Sequence, residues 1–250
     1  MEVGRSIPRV DAADKVTGRA KYTDDLCGRE ALIVKICHST IAHGFVKRID
    51  TAAAERIPGV VRVLTCFDVP EFPFPTAGHP WSTDPAHQDV ADRLLLNRHV
   101  RYYGDEVAVV IAEDEVAAAQ GVRALEVEYE ELPFVLDPQK AMEGEAPQIH
   151  EEFPGNILKH TDIRRGDYQT AIQEPDLVKV EGWYDTPTVQ HCHIENHGCF
   201  AYEEAGRVVV VTSTQIPHIV RRVVGQALGI PWGRVRVIKP YIGGGFGNKQ

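Results

Sequence analysis

Apolar positions along this chain fall mostly into short alternating or continuous runs bounded by turn residues, with only a few stretches at helical period. Ala31–Ser39 (ALIVKICHS) and Val60–Pro70 (VVRVLTCFDVP) read as strands. Between them, TAAAERIPG predicts a short helix with Asp50 or Thr51 as N-cap and Pro58-Gly59 as its stop. Residues 71–87, rich in Pro, His and Gly, read as a long loop. Glu106–Ala112 (EVAVVIA) reads as a buried strand, after which Asp114 caps the helix EVAAAQGVRAL. In LEVEYEEL, Leu125, Val127 and Tyr129 alternate with Glu126, Glu128 and Glu130, as in a strand with one wet face. Those glutamates are expected to be solvated rather than catalytic.

The last quarter carries a second pattern. Arg207–Thr214 is a run of β-branched residues and reads as a strand. In HIVRRVVGQALGI, the pairs Ile219/Val220, Val223/Val224 and Ala227/Leu228 form one stripe, with Arg221, Arg222 and Gln226 opposite. Pro217 suits the first turn of that helix and Gly229 its end. Arg234–Pro240 reads as another strand. Strand, helix and strand of these lengths predict a crossover unit with parallel strands. Its functional loops belong at the carboxyl ends of the strands, which brings STQIP and GGGFGNKQ together.

Charge and composition narrow the partners. The chain has 27 Lys+Arg against 36 Asp+Glu, a net charge of -9 that argues against a nucleic-acid partner. Its apolar runs fall far short of the ~20 residues that span a bilayer, which argues against a membrane protein. The N-terminus lacks a secretory apolar core, and the five cysteines include no C-x-x-C pair; reduced thiols in a cytoplasmic protein are expected. The polar stretch 141–156 divides the chain into two parts.

The glycine run 243–247 offers backbone N–H groups to a ligand with no Cβ in the way. It is not a dinucleotide fingerprint, because Asn248 stands where G-x-G-x-x-G needs its third small residue. It is not a P-loop either, because Asn248 precedes Lys249 and Gln250 follows. Gln215, at the other strand end, offers two donors and one acceptor from a fixed corner. Separately, in QHCHIENHGC an extended backbone would align His191, His193, Glu195 and His197 on one face. With Cys192 or Cys199 that could make a zinc site; imidazoles hydrogen-bonded inside the fold are the simpler expectation.

TSTQIPHIVRRVVGQALGIPWGRVRVIKPYIGGGFGNKQ resembles the opening of the molybdenum-cofactor domain of the xanthine dehydrogenase/aldehyde oxidase family, most closely the molybdenum-binding subunits of bacterial multi-subunit xanthine dehydrogenases. GRSIPRVDAADKVTGRAKYTDDL, AHGFVKRIDTAAAERIPGVVRVLTCFDVP and YYGDEVAVVIAEDEVAAAQGVRALEVEYEELPFVLDP resemble that family's α/β hammerhead domain.

The resemblance implies an α+β fold: an α/β hammerhead domain over residues 8–145, then the beginning of a molybdenum-cofactor-binding domain over 155–250. It implies part of a hydroxylase acting on purines, related heteroaromatics or aldehydes with water-derived oxygen. The implied cofactor is molybdenum–molybdopterin in its cytosine dinucleotide form, with 2Fe-2S clusters and FAD on partner iron–sulfur and flavin subunits of an oligomer. Gln215 matches the glutamine that hydrogen-bonds an oxo ligand of the molybdenum. Gly244, Gly245, Phe246 and Gly247 match the loop whose backbone wraps the cofactor, with the Phe246 main chain nearest the metal. Glu195 matches a region whose glutamate serves packing. Gln250 departs from the pattern: mammalian-type members carry a substrate-binding glutamate there, and an amide supplies neither a negative charge nor a proton acceptor. The substrate is then held differently, or is not xanthine. The family's catalytic base is expected beyond Gln250, so these residues read as an N-terminal portion, inactive alone, whose second part leaves apolar surface uncovered. A non-catalytic hammerhead interaction or scaffold module is the alternative.

Overall fold

The computed structural model describes residues 3–75 and 90–250; of the loop expected over 71–87, residues 76–87 lie outside the described ones. The chain forms two compact units, Met1–Leu132 with His191–Gln250, and Pro133–Gln190. This division cuts differently from the expected 8–145 and 155–250. Tyr241 donates to Asp14 Oδ2 at 2.7 Å and its ring meets that of Tyr22, so the last residues are tied to the first.

Within the first unit, β1 (Ile33–His38), β3 (Val60–Thr65) and β5 (Glu106–Ala112) form an antiparallel sheet in the order β1-β5-β3. A second antiparallel sheet runs β4-β2-β6, from β2 (Gly44–Asp50), β4 (His99–Val100) and β6 (Glu126–Glu131). In β6, Val127 and Tyr129 are half-buried while the glutamates face out, and Glu130 pairs with Lys47 at 2.8 Å. Ile41, Val46, Cys66, Leu96, Val100 and Val107 form the core that these sheets share. Burial pushes the Cys66 thiol up to about 11, so it behaves as a neutral packing residue. The strand expected to run to Pro70 ends at Thr65, because the Asp68 carboxylate accepts from both the amide and the hydroxyl of Thr65 and closes a turn.

The helix α4 (Glu115–Arg123) begins where Asp114 accepts from the amides of Val116 and Ala117, each at 2.8 Å. It covers the outer face of β5, with Ala117, Ala118 and Gly121 buried. The shorter α3 (Ala52–Glu55) follows Thr51, and Ala54 is fully buried. Two further short helices, α1 (Ala12–Val16) and α2 (Thr23–Leu26), precede β1.

The third sheet carries the loops of interest. β7 (Cys199–Glu204) and β8 (Arg207–Thr212) are antiparallel, and β8 pairs in parallel with β9 (Val235–Ile238). The crossover helix α7 (Pro217–Ala227) joins the parallel strands, with Pro217 in its first turn. It ends with Gly229 at φ +63, whose amide reaches Gln226 O while that of Ile230 reaches Gly225 O at 2.9 Å. One expectation fails here: Arg222, placed on the polar face by sequence period, is only 2% exposed, while Leu228 on the apolar stripe is 37% exposed. Packing covers α7 on more than its apolar stripe.

In the second unit, Asn156 organises the stretch read as a divider. Its side chain accepts from the Ile149 amide and donates to the carbonyls of Ala141 and Pro147, at 2.8–2.9 Å. The helices α5 (Pro138–Ala141) and α6 (Tyr168–Ala171) are single turns. Val178, Val180, Trp183 and Tyr184 are each more than four-fifths exposed. Among the described residues, no helix is long and apolar enough to cross a membrane.

Candidate functional site

β8 ends at Thr212 and β9 at Ile238, and because the two strands are parallel their carboxyl ends point the same way. Gln215, just past the first end, meets the glycine loop past the second. Its Oε1 accepts from the amides of Gly247 at 3.1 Å and Lys249 at 3.3 Å. Backbone N–H groups can only donate, so the side-chain atom facing them is the oxygen, and Nε2 is the atom left over. That nitrogen finds no acceptor among the described residues. The main chains are joined too: the Gln215 amide donates to Lys249 O, and the Thr214 hydroxyl donates to the same carbonyl at 3.3 Å.

Each of the three consecutive glycines is pressed by a different neighbour. A Cβ on Gly243 would lie 2.4 Å from Glu195 Cβ, one on Gly244 2.8 Å from His193 Cβ, and one on Gly245 2.6 Å from Gln215 Cδ. Gly244 and Gly247 also have φ of +101 and +87, a region that side-chain-bearing residues avoid. The glycine run is therefore required by close packing on one side as well as by backbone turns. Phe246 adopts φ +49 despite its side chain, at a cost of roughly 1 kcal/mol, and that side chain is 71% exposed. The amides of Gly244, Gly245 and Phe246 find no acceptor among the described residues. Gln250 is exposed and follows directly on the buried Lys249. The six residues singled out from the sequence thus fall together: Gln215 against the loop, Gly244 to Gly247 within it, and Gln250 at its end.

Beneath the loop lies a contact that sequence reading did not foresee. Lys249 has a fully buried side chain, and its Nζ donates to Glu195 Oε2 at 2.9 Å and Glu195 O at 2.7 Å. The same Oε2 accepts from the Gly243 amide at 2.8 Å. Burial pushes the Glu195 carboxyl up, but the Gly243 amide and then the Lys249 ammonium more than reverse this and hold it below the usual carboxylate range. A Glu within a His-rich segment and a Lys ending a glycine run were the available signals; neither points to the other.

The histidines do not align as an extended segment would place them. Cys192 has φ +51 and bends the chain. His193 Nδ1 donates to Glu195 O at 2.6 Å, which leaves Nε2 facing the Asn248 side-chain amide at 3.4 Å. His197 Nε2 donates to the Asn248 main-chain carbonyl at 3.0 Å. Among the described residues, no three His, Cys, Asp or Glu groups converge to hold a metal ion, so the zinc arrangement does not form there.

What remains is a donor-only surface: a glutamine Nε2 and three backbone amides beside glycines that leave the approach clear. Such a surface suits an anionic or oxygen-rich group whose metal brings its own ligands, because backbone donors stabilise oxygen without occupying metal positions. The residues fit a molybdenum–pterin group in that sense.

The family model described as the aldehyde oxidase and xanthine dehydrogenase a/b hammerhead domain matches residues 17–133, and the molybdopterin cofactor-binding domain matches residues 149–250. A putative xanthine dehydrogenase molybdenum-binding subunit of Escherichia coli is 49% identical over 97% of this chain and 32% of its own length. The nicotine 6-hydroxylase large subunit of Paenarthrobacter nicotinovorans is 34% identical over 99% of this chain and 30% of its length. The chain thus spans about a third of these curated relatives. Among solved structures, quinoline 2-oxidoreductase from Pseudomonas putida 86 superposes with a TM-score of 0.84 at 32% identity, covering 100% of this chain and 31% of that one. The aldehyde oxidoreductase from Desulfovibrio desulfuricans gives 0.85 at 29% identity, covering 98% and 28%.

Proposed function

Because the chain belongs to the aldehyde oxidase and xanthine dehydrogenase family, we propose that it forms the N-terminal part of the molybdopterin-binding subunit of a molybdenum hydroxylase. When bound, the molybdenum–pterin group supplies the two-electron chemistry that hydroxylates a heteroaromatic or aldehyde carbon with water-derived oxygen. The observation that carries this reading is the grip of Gln215 Oε1 on the Gly247 and Lys249 amides, which turns the amide nitrogen into a fixed donor beside the glycine backbone.

In this reading Gln215 Nε2 and the amides of Gly244, Gly245 and Phe246 hold oxygen atoms of the cofactor, and Gly247 leaves room for its approach. Gln250 meets the substrate as a neutral hydrogen-bonding group, which favours a heteroaromatic other than xanthine. The cofactor is taken in its cytosine dinucleotide form, and electrons pass to 2Fe-2S and FAD groups on partner subunits in the cytoplasm. The 250 residues alone neither hold molybdenum stoichiometrically nor turn over substrate.

The test is to express the whole subunit with its partners and screen hydroxylation of xanthine, hypoxanthine, nicotinate and aldehydes. Hydroxylation of any of these with incorporation of oxygen from labelled water supports the reading. An isolated complex with no molybdenum and no hydroxylation overturns it in favour of a scaffold module.

A further inference from the structure

We infer that the Glu195–Lys249 ion pair is a positioning latch, which sets the conformation of the glycine loop and the place where Gln250 emerges; its link to cofactor and substrate rests on the function proposed above. Lysine at the end of a glycine-rich run is ordinarily a phosphate-binding residue. Here it cannot be one, because its side chain is 0% exposed and its ammonium is held by Glu195 Oε2 and Glu195 O.

The latch has two halves that meet in Lys249. Its side chain holds Glu195, whose Oε2 also takes the Gly243 amide, while the Glu195 amide donates to Gly243 O at 3.2 Å. This fixes the start of the glycine run. Its main chain holds the other strand end: the Lys249 amide donates to Gln215 Oε1, and Lys249 O accepts from the Gln215 amide and the Thr214 hydroxyl. This fixes the end of the run. The loop between Gly243 and Lys249 is thereby pinned at both ends by one residue, and Gln215 is oriented by the same contacts. Gln250, joined to Lys249 by one peptide bond, inherits its position.

A buried ammonium left without its carboxylate is costly, as is the reverse, so each single variant loosens the latch. Removing both charges avoids stranding either. The experiment compares wild type with Glu195→Gln, Lys249→Met and the double variant. In the 250-residue chain, hydrogen exchange is followed at the loop amides and, as a control for folding, at β5. In the whole subunit with its partners, molybdenum per polypeptide and KM against kcat are measured.

The latch predicts exchange about tenfold faster at the amides of Gly243, Gly247 and Lys249 in all three variants, with β5 amides unchanged, because the opening is local. It further predicts reduced molybdenum content, or a raised KM in whatever fraction retains the metal. Wild-type exchange at the loop in the double variant overturns the latch. Faster exchange with wild-type molybdenum and wild-type KM overturns its positioning role. A wild-type subunit that holds no molybdenum overturns the functional proposal instead, while the exchange result still decides whether the pair holds the loop.

Discussion

Gly245 lies so close to Gln215 that a Cβ on residue 245 would sit 2.6 Å from the Gln215 Cδ and 2.8 Å from Oε1. The loop and the glutamine therefore share a single packing solution. Gly245→Ala should push the Gln215 amide off the Gly247 and Lys249 N–H groups. In the whole subunit we expect a fall in molybdenum content and turnover of about tenfold or more, as misplacement by about 1 Å can cost about 100-fold. Retained turnover with a 245 side chain in place would show that Gln215 need not sit where it does.

The Glu195 carboxyl gives a pH signature. Its folded-state value lies below the ordinary 4.5, since the Gly243 amide and Lys249 outweigh the effect of burial. A group whose folded value is depressed contributes stability above its unfolded value, and that contribution is lost as pH falls through the folded value. The gap in denaturant midpoint between wild type and Glu195→Gln should therefore be constant from neutral pH to about pH 5 and shrink below about 4.5. A gap that instead grew on acidification would reverse the sign of the assignment.

Gly121 tests the packing of α4 on β5. A Cβ there would lie 2.6 Å from Val110 Cγ1. Alanine favours a helix over glycine by about 1 kcal/mol, while overpacking a tight contact costs about 1–3 kcal/mol. The contact outweighs the propensity, so Gly121→Ala should lower the urea midpoint. A raised midpoint would mean that Val110 yields at little cost.

Much of this fold was legible along the chain. The two-residue period of β6, the continuous apolar β5 and the Asp114 cap are local signals, and each formed as written. The meeting of Gln215 with the glycine loop followed from the handedness and direction of a strand–helix–strand unit, a rule of topology rather than of any one residue. The Asp68 turn that ends β3 was legible in principle, since an Asp three residues after Thr65 is a turn former. Other features were not. Arg222 is buried because packing covers more of α7 than its apolar stripe, which helical period does not reveal. The bend at Cys192 carries no Gly, Asn or Pro. The Glu195–Lys249 pair joins residues 54 positions apart, and only the folded chain brings them together.

The exposed apolar side chains of the second unit, Val178, Val180, Trp183 and Tyr184, predict self-association of the isolated 250-residue chain. Light scattering across a concentration series should show species larger than the monomer. Clean monomer at every concentration would mean that these side chains are covered within the chain in solution.

The most direct test is turnover and molybdenum content in the whole subunit carrying Gln215→Ala. The donor surface formed by Gln215 and the loop predicts a large loss of turnover, with the melting temperature close to wild type because Gln215 is exposed. Wild-type turnover together with wild-type molybdenum content would remove Gln215 from the site and contradict the account.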